Sequence, residues 1–130
     1  MDKDVINRML KPRSVAVVGA SATPGKIGYT VVKNLIKDGY EGKIYPINQK
    51  ENEILGLKCY PEIQDVPGEI DSAIMCVPAS VMKEVTIECG KKGVKGLIVI
   101  TSGFSEVGRK DLVDEIVSIA HSYGMRVLGP

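Results

Sequence analysis

The sequence has little of what would announce several common functions. It has no surplus of either charge: 17 Lys and Arg stand against 16 Asp and Glu, a formal net charge of +1. That balance argues against a general nucleic-acid binder, which carries a basic surface. No apolar run approaches the ~20 residues needed to cross a bilayer. The N-terminal MDKDVINRML alternates charges without a long apolar stretch and does not read as a signal peptide. There are three cysteines, Cys59, Cys76 and Cys89, an odd number with no CxxC pair. This spacing argues against a disulfide framework or a zinc site and predicts reduced, buried thiols in a cytoplasmic protein.

What is present suits one domain. The 130 residues are 44% apolar, enough for a core and too few for two comfortable domains, so residues 1–130 are read as a single unit. Four continuous apolar runs stand out: SVAVVG (14–19), KIYPIN (43–48), SAIMCV (72–77) and GLIVIT (96–101), with a shorter MRVL at 125–128. Continuous rather than alternating runs predict strands covered on both faces. Between them lie helical patterns. Ile27, Val31, Val32, Leu35 and Ile36 share a face over 27–38, and Val81, Met82, Val85 and Cys89 over 79–92. Leu112, Val113, Ile116, Val117, Ile119 and Ala120 do so over 109–123, and Gly39, Gly93 and Gly124 end the three patterns. Strict alternation predicts an α/β fold, a Rossmann-like doubly wound parallel sheet of about five main strands. Residues 49–70 break the rhythm and predict loops, with a short strand at 57–60 and one turn of helix at 62–66. The first ten residues predict a short outer helix before Pro12.

In such sheets ligands bind outside the C-terminal ends of the strands, where strand order reverses. The first exit reads G-A-S-A-T-P-G-K-I-G, with Gly19, Gly25 and Gly28 at strand exit, mid-loop and helix start. Glycines permit a tight turn and close backbone approach, and a helix N-terminus holds negative charge. Ser21 and Thr23 add hydroxyls. The loop is not GxGxxG, and it is not an ATP-hydrolysing P-loop, because Lys26 is followed by Ile27 rather than Ser or Thr.

The second exit narrows the ligand. An NAD site wants Asp or Glu about 20 residues beyond the last glycine, to bond the ribose hydroxyls. Counting from Gly28 lands on Asn48, followed by Gln49 and Lys50. A neutral amide and a cation suit a phosphorylated ribose, so NADP and coenzyme A both qualify and NAD fits poorly. At the third exit Val77 and Pro78 offer a flat apolar wall, with Ser80 at the helix start. At the fourth, Ile100 leads into Thr101, Ser102 and Gly103, then Phe104, the one phenylalanine of the chain.

Catalytic machinery is scarce. The single histidine, His121, falls inside the last helical pattern, far from any strand exit, and reads as a surface or helix-end residue. Cys76 has no His or Asp placed to activate it, and Ser21, Ser80 and Ser102 have no evident base. Glu106 is the one carboxylate near the fourth exit. These residues are equipped to bind rather than to catalyse.

Taken together, SVAVVGAS…GKIG, GKIYPIN-x-K, DSAIMCVPA, GLIVITSGF-x-E and MRVLGP closely resemble the N-terminal CoA-binding domain of the NDP-forming acyl-CoA synthetases. That family includes the ADP-forming acetyl-CoA synthetases and, more distantly, the succinyl-CoA synthetase alpha subunit. The resemblance covers nearly the whole chain, with five blocks in order. It implies coenzyme A as ligand, with Gly19, Ala20, Ser21, Gly25, Ile27 and Gly28 around the nucleotide phosphates. It implies further that Asn48 and Lys50 meet the nucleotide end, with Lys50 as a phosphate cation. Val77 and Pro78 would line the adenine or pantetheine, and Ile100, Thr101 and Ser102 would follow the pantetheine arm. Glu106 resembles the acidic residue common after that strand.

The family makes acyl-CoA reversibly with a nucleotide, through an acyl phosphate and a phosphohistidine. That histidine belongs to the next domain, after a GPN motif that Gly129 and Pro130 begin, and the nucleotide-grasp domain is separate too. The remaining domains or subunit of such a synthetase are thus the implied partners. Gln49 departs from the proline usual in the family, which loosens the loop before Lys50. Two alternatives stay open: an NADP-dependent oxidoreductase domain, and a regulatory CoA-sensing domain of a larger protein.

Overall fold

The structure, a computed structural model, describes residues 11–100 and 106–128. In chain order its elements are β1 (Ser14–Val18), α1 (Ile27–Lys37), β2 (Lys43–Ile47), two-residue strands β3 (Glu53–Ile54) and β4 (Leu57–Lys58), and a 3-10 turn (Ile63–Asp65). Then come β5 (Ser72–Met75), α2 (Ala79–Lys92), β6 (Gly96–Val99), α3 (Glu106–Ser122) and β7 (Arg126–Leu128). The expected outer helix over the first ten residues lies outside the described residues, as do Thr101, Ser102, Gly103, Phe104, Gly129 and Pro130.

Continuous apolar strands need cover on both faces; the sheet supplies it for β1, β5 and β6, whereas the edge strand β7 leaves Arg126 and Leu128 exposed. β2-β1-β5-β6-β7 pair in that order, every pair parallel. Alternation along each strand divides the side chains between two layers. Ala16, Ala73, Met75, Leu97 and Val99 face α2 and α3, where Met82, Cys89, Ile116 and Ala120 complete a core. Val15, Val17 and Ile74 face the opposite way, toward Val32 of α1. The chain steps outward from β1 to β2, then returns past β1 to β5. Strand order therefore reverses between β1 and β5, and their C-terminal ends form the crevice of the fold.

The helix boundaries follow the sequence signals. Gly93 caps α2 in the left-handed conformation, with φ of 88°. Some details differ from expectation. Ile27 and Ile36 do not join the core face of α1; each is 43% exposed, and Val32 is the buried anchor. Val81 faces outward at 37% exposure, and the polar Thr86 takes a core place on α2. Burial of Thr86 is tolerated because its hydroxyl donates to Met82 O at 2.8 Å. Helix α3 begins at Glu106, ahead of the expected 109, and His121 sits exposed in its last turn.

The segment 49–70 contains a hairpin whose first strand, β3, has no signal in the sequence. After β4 the chain returns to the sheet edge, where Tyr60 bridges Ile47 in parallel. Asn48 N donates to Tyr60 O and Tyr60 N to Pro46 O, both at 3.0 Å. The expected helical turn at 62–66 is the 3-10 turn. At the opposite end of the sheet a polar latch joins β1 to β5. Arg13 N donates to Asp71 Oδ2 at 2.8 Å. Ser14 Oγ donates to Glu69 O at 2.7 Å and accepts from Asp71 N at 3.0 Å.

Candidate functional site: the strand exits

Three backbone segments meet at the crevice with no room for side chains. Gly19 leaves β1 with φ of 87°, and a Cβ there would strike the Cys76 carbonyl oxygen. Gly28, in the first turn of α1, lies so close to Gly19 that its own Cβ would strike the Gly19 carbonyl oxygen. Gly19 and Gly28 are thus fixed by contact between strand exit, helix start and neighbouring strand. Gly25 stands in open space at the loop tip. Between them Ser21 Oγ accepts from Thr23 N at 3.0 Å, and Lys26 N donates to Thr23 O at 3.2 Å.

The loop delivers a bare helix end. Lys26 takes the N-cap position without a side-chain cap bond, and no acidic residue occupies the first turn. Tyr29 N and Thr30 N both donate to Lys26 O, so the N–H groups of Ile27 and Gly28 have no acceptor among the described residues. Helix α2 starts in the same way. Pro78 is its N-cap, again with no side-chain cap bond and no acidic first turn. Unanswered N–H groups with a positive dipole end suit an anion.

Beside these helix starts lies a cleft of about 440 Å³. Val18, Gly19 and Ala20 form one side and Ile47 to Lys50 the next. The 3-10 turn contributes Pro61, Glu62 and Ile63, and α2 contributes a stripe of Val81, Glu84, Val85 and Glu88 above Val77. Gln64 Nε2 donates to Glu88 O at 2.9 Å and closes the wall between turn and helix.

These features carry a recognisable pattern, and comparison with known proteins decides it: the CoA binding domain family matches residues 13–130. The chain belongs to that family. It is 48% identical over 128 residues to the alpha subunit of ADP-forming acetate–CoA ligase II of Pyrococcus furiosus, covering 97% of this chain and 28% of the relative. It is 55% identical over 119 residues to the ADP-forming acetate–CoA ligase of Methanocaldococcus jannaschii, covering 92% of this chain and 17% of the relative. Among solved structures, the apo form of a dinucleotide-forming acetyl-coenzyme A synthetase 1 of Ca. Korarchaeum cryptofilum superimposes with a TM-score of 0.90. That similarity runs at 52% identity and covers 96% of this chain and 27% of the other. The chain thus spans less than a third of each of these relatives. The Rossmann-like parallel sheet and the resemblance to the synthetases are both borne out.

In this CoA-binding domain Gly19, Ala20, Asn48, Lys50 and Val77 line the cleft together. Ser21, Gly25, Ile27 and Gly28 lie in the adjoining loop and helix start, and Pro78 stands at the start of α2. Ile100 does not line the cleft; it packs half-buried on the α1 side of the sheet. Thr101 and Ser102 are outside the described residues, as is the Glu106 side chain. The Asn48 amide is bonded within the protein: Nδ2 donates to Ala20 O at 2.8 Å, and Oδ1 accepts from Lys50 N at 2.7 Å and Glu51 N at 2.9 Å.

Sequence reasoning missed the opposite wall. Glu84 and Glu88 follow Val81 and Val85 at helical spacing, a signal present in the sequence. It becomes legible only once Val81 is known to face the cleft rather than the core. The cleft thus carries two carboxylates on α2, Glu84 and Glu88, one on the 3-10 turn, Glu62, and the Lys50 cation on the loop after β2. Burial pushes the Cys76 thiol up to about 11, so at neutral pH it is a protonated neighbour of Gly19 rather than a nucleophile. Among the described residues no group of His, Cys, Asp or Glu is arranged to hold a metal ion, and no helix is long and apolar enough to cross a membrane.

Proposed function

We propose that residues 1–130 form a single cytoplasmic unit that binds coenzyme A at the C-terminal edge of the sheet, as the CoA-binding part of an ADP-forming acyl-CoA synthetase. The observation that carries this reading is the bare N-terminus of α1, held by Gly28 against the backbone of Gly19 and Ala20, which line the cleft. CoA carries a diphosphate and a 3′-phosphate, and backbone N–H groups at a helix start suit the diphosphate. Gly19, Ala20, Ser21, Gly25, Ile27 and Gly28 surround it. Lys50 supplies a cation for the 3′-phosphate. Val77 and Pro78 provide an apolar surface for the adenine or pantetheine. The resemblance assigns Ile100, Thr101 and Ser102 to the pantetheine arm; of these Ile100 packs on the α1 side of the sheet, outside this cleft. The carboxylates of Glu84 and Glu88 favour placing the phosphates on the loop side of the cleft, away from α2. The domain contributes binding, while the phosphohistidine and nucleotide-grasp steps belong to the other domains or subunit of the synthetase.

A second reading is a regulatory CoA-sensing module without ligase chemistry, in which the fold acts outside a synthetase. A conserved hypothetical protein of Pyrococcus furiosus shares the fold with a TM-score of 0.70 at 31% identity, and this chain covers 92% of it. The fold therefore also makes up nearly the whole of a short protein. Calorimetric titration with CoA, dephospho-CoA and NADP tests the common core of both readings. CoA should bind clearly better than dephospho-CoA, with NADP silent. Binding of NADP without CoA would replace the proposal by the oxidoreductase reading, and silence from CoA would refute binding by this chain alone.

A further inference from the structure

Asn48 stands where a dinucleotide site would read the ribose, yet its strong bonds run to the protein. Two backbone N–H groups, of Lys50 and Glu51, converge on one amide atom, and the Ala20 carbonyl faces the other. An acceptor is needed on the first side and a donor on the second, so hydrogen-bond chemistry fixes the orientation of the amide. Both oxygen lone pairs are then engaged. The bond to Ala20 crosses from the exit of β2 to the glycine loop, one residue beyond Gly19. The two bonds from Lys50 and Glu51 fold the chain back just after β2.

We propose that Asn48 is a positioning residue that ties the glycine loop to the exit of β2. Its amide holds the phosphate-facing loop and Lys50 at one separation, and that separation matches the ligand. This deepens the CoA-binding reading and rests on it. An aspartate here would keep an acceptor for Lys50 N and Glu51 N but would set a carboxylate oxygen against the Ala20 carbonyl. One side chain cannot both read a ribose diol as a carboxylate and hold this loop as an amide. That explains the missing acidic residue of an NAD site.

The test compares wild type, Asn48→Ser and Asn48→Asp in the full chain. Serine keeps a short acceptor but loses reach to Ala20 and adds no charge; aspartate keeps the reach and loses the donor. Titration with CoA and dephospho-CoA is paired with amide hydrogen exchange over residues 19–28. Both variants should lose about tenfold in affinity, the size expected for one lost hydrogen bond. The serine variant should lose the same factor for both ligands, because both carry the diphosphate. Exchange in the loop should quicken in both ligand-free variants while the sheet stays protected. Normal affinity in the serine variant, with loss only in the aspartate one, would assign the effect to charge and overturn the proposal. So would weaker binding with unchanged loop exchange, which marks direct ligand contact. If wild type binds no CoA, the functional reading fails, and loop exchange in the two variants still decides whether the tie exists.

Discussion

The two ends of the sheet treat their polar groups in opposite ways. At the N-terminal end Arg13, Ser14, Glu69 and Asp71 satisfy one another, and Asp71 is only 3% exposed. At the C-terminal end two helices begin without side-chain caps, beside an open cleft. A cap is worth about 1 kcal/mol to a helix, so bare starts on α1 and α2 forgo stability that serine or aspartate would supply. The comparison separates a closed end that fixes the fold from an open end whose unanswered donors are available to a ligand.

Substitutions should respect that division. The largest effect is expected at the open end for Gly28→Ala, whose Cβ meets the Gly19 backbone. We expect a loss of about 3 kcal/mol in denaturant unfolding and about a hundredfold in CoA affinity. An unperturbed double result would break the claim that backbone contact sets the loop. Next, Asp71→Ala at the closed end should cost about 2 kcal/mol by removing a buried acceptor for Arg13 N, with CoA titration unchanged. Weakened CoA binding there would show that the two ends are coupled. Lys50→Ala should leave unfolding unchanged and lower CoA affinity about tenfold, so that preference for CoA over dephospho-CoA collapses.

Alkali should loosen the fold more gently. Burial pushes the thiols of Cys76 and Cys89 up to about 11 and about 12, from an ordinary value of 9.0. The unfolded thiols release protons first, so their contribution to stability is full below pH 9 and declines as pH rises toward 11 and 12. Denaturant midpoints measured from neutral pH upward should be flat and then fall; a midpoint rising above pH 9 would contradict the sign. The smallest effect belongs to Glu115→Gln, which breaks the exposed 2.8 Å pair with Lys83 on the outer helices. Neither unfolding nor CoA titration should register it, because exposed pairs contribute little.

Much of this architecture was legible in the sequence for local reasons. Apolar runs marked the sheet strands because inner parallel strands are covered on both sides, while the edge strand β7 kept a short apolar run although Arg126 and Leu128 are exposed. Glycines at Gly39, Gly93 and Gly124 marked helix ends because helix ends need left-handed residues. Less was legible where partners are distant. Ile27 and Ile36 fit a helical stripe by spacing, but the stripe is wider than the surface available over β1, so its margins stay outside. Asn48 was visible as a non-acidic residue at the right count, but its bond to Ala20 spans two strand exits and no local pattern encodes it. The Glu84 and Glu88 wall was hidden for a related reason: spacing defines a stripe, and only the docking of α2 decides what that stripe faces.

The bridge between Ile47 and Tyr60 has a bearing on how this domain tolerates change. Because Asn48 N and Tyr60 O are joined, residues 49–59 form an excursion tied off at its base. Its tip, Leu55 and Gly56, is exposed, and both residues have positive φ, 51° and 83°. Extra residues inserted at that tip would lengthen the excursion without moving its anchor points. The tip is therefore the place where a label or a foreign peptide can be grafted to report on the domain while the cleft keeps its shape.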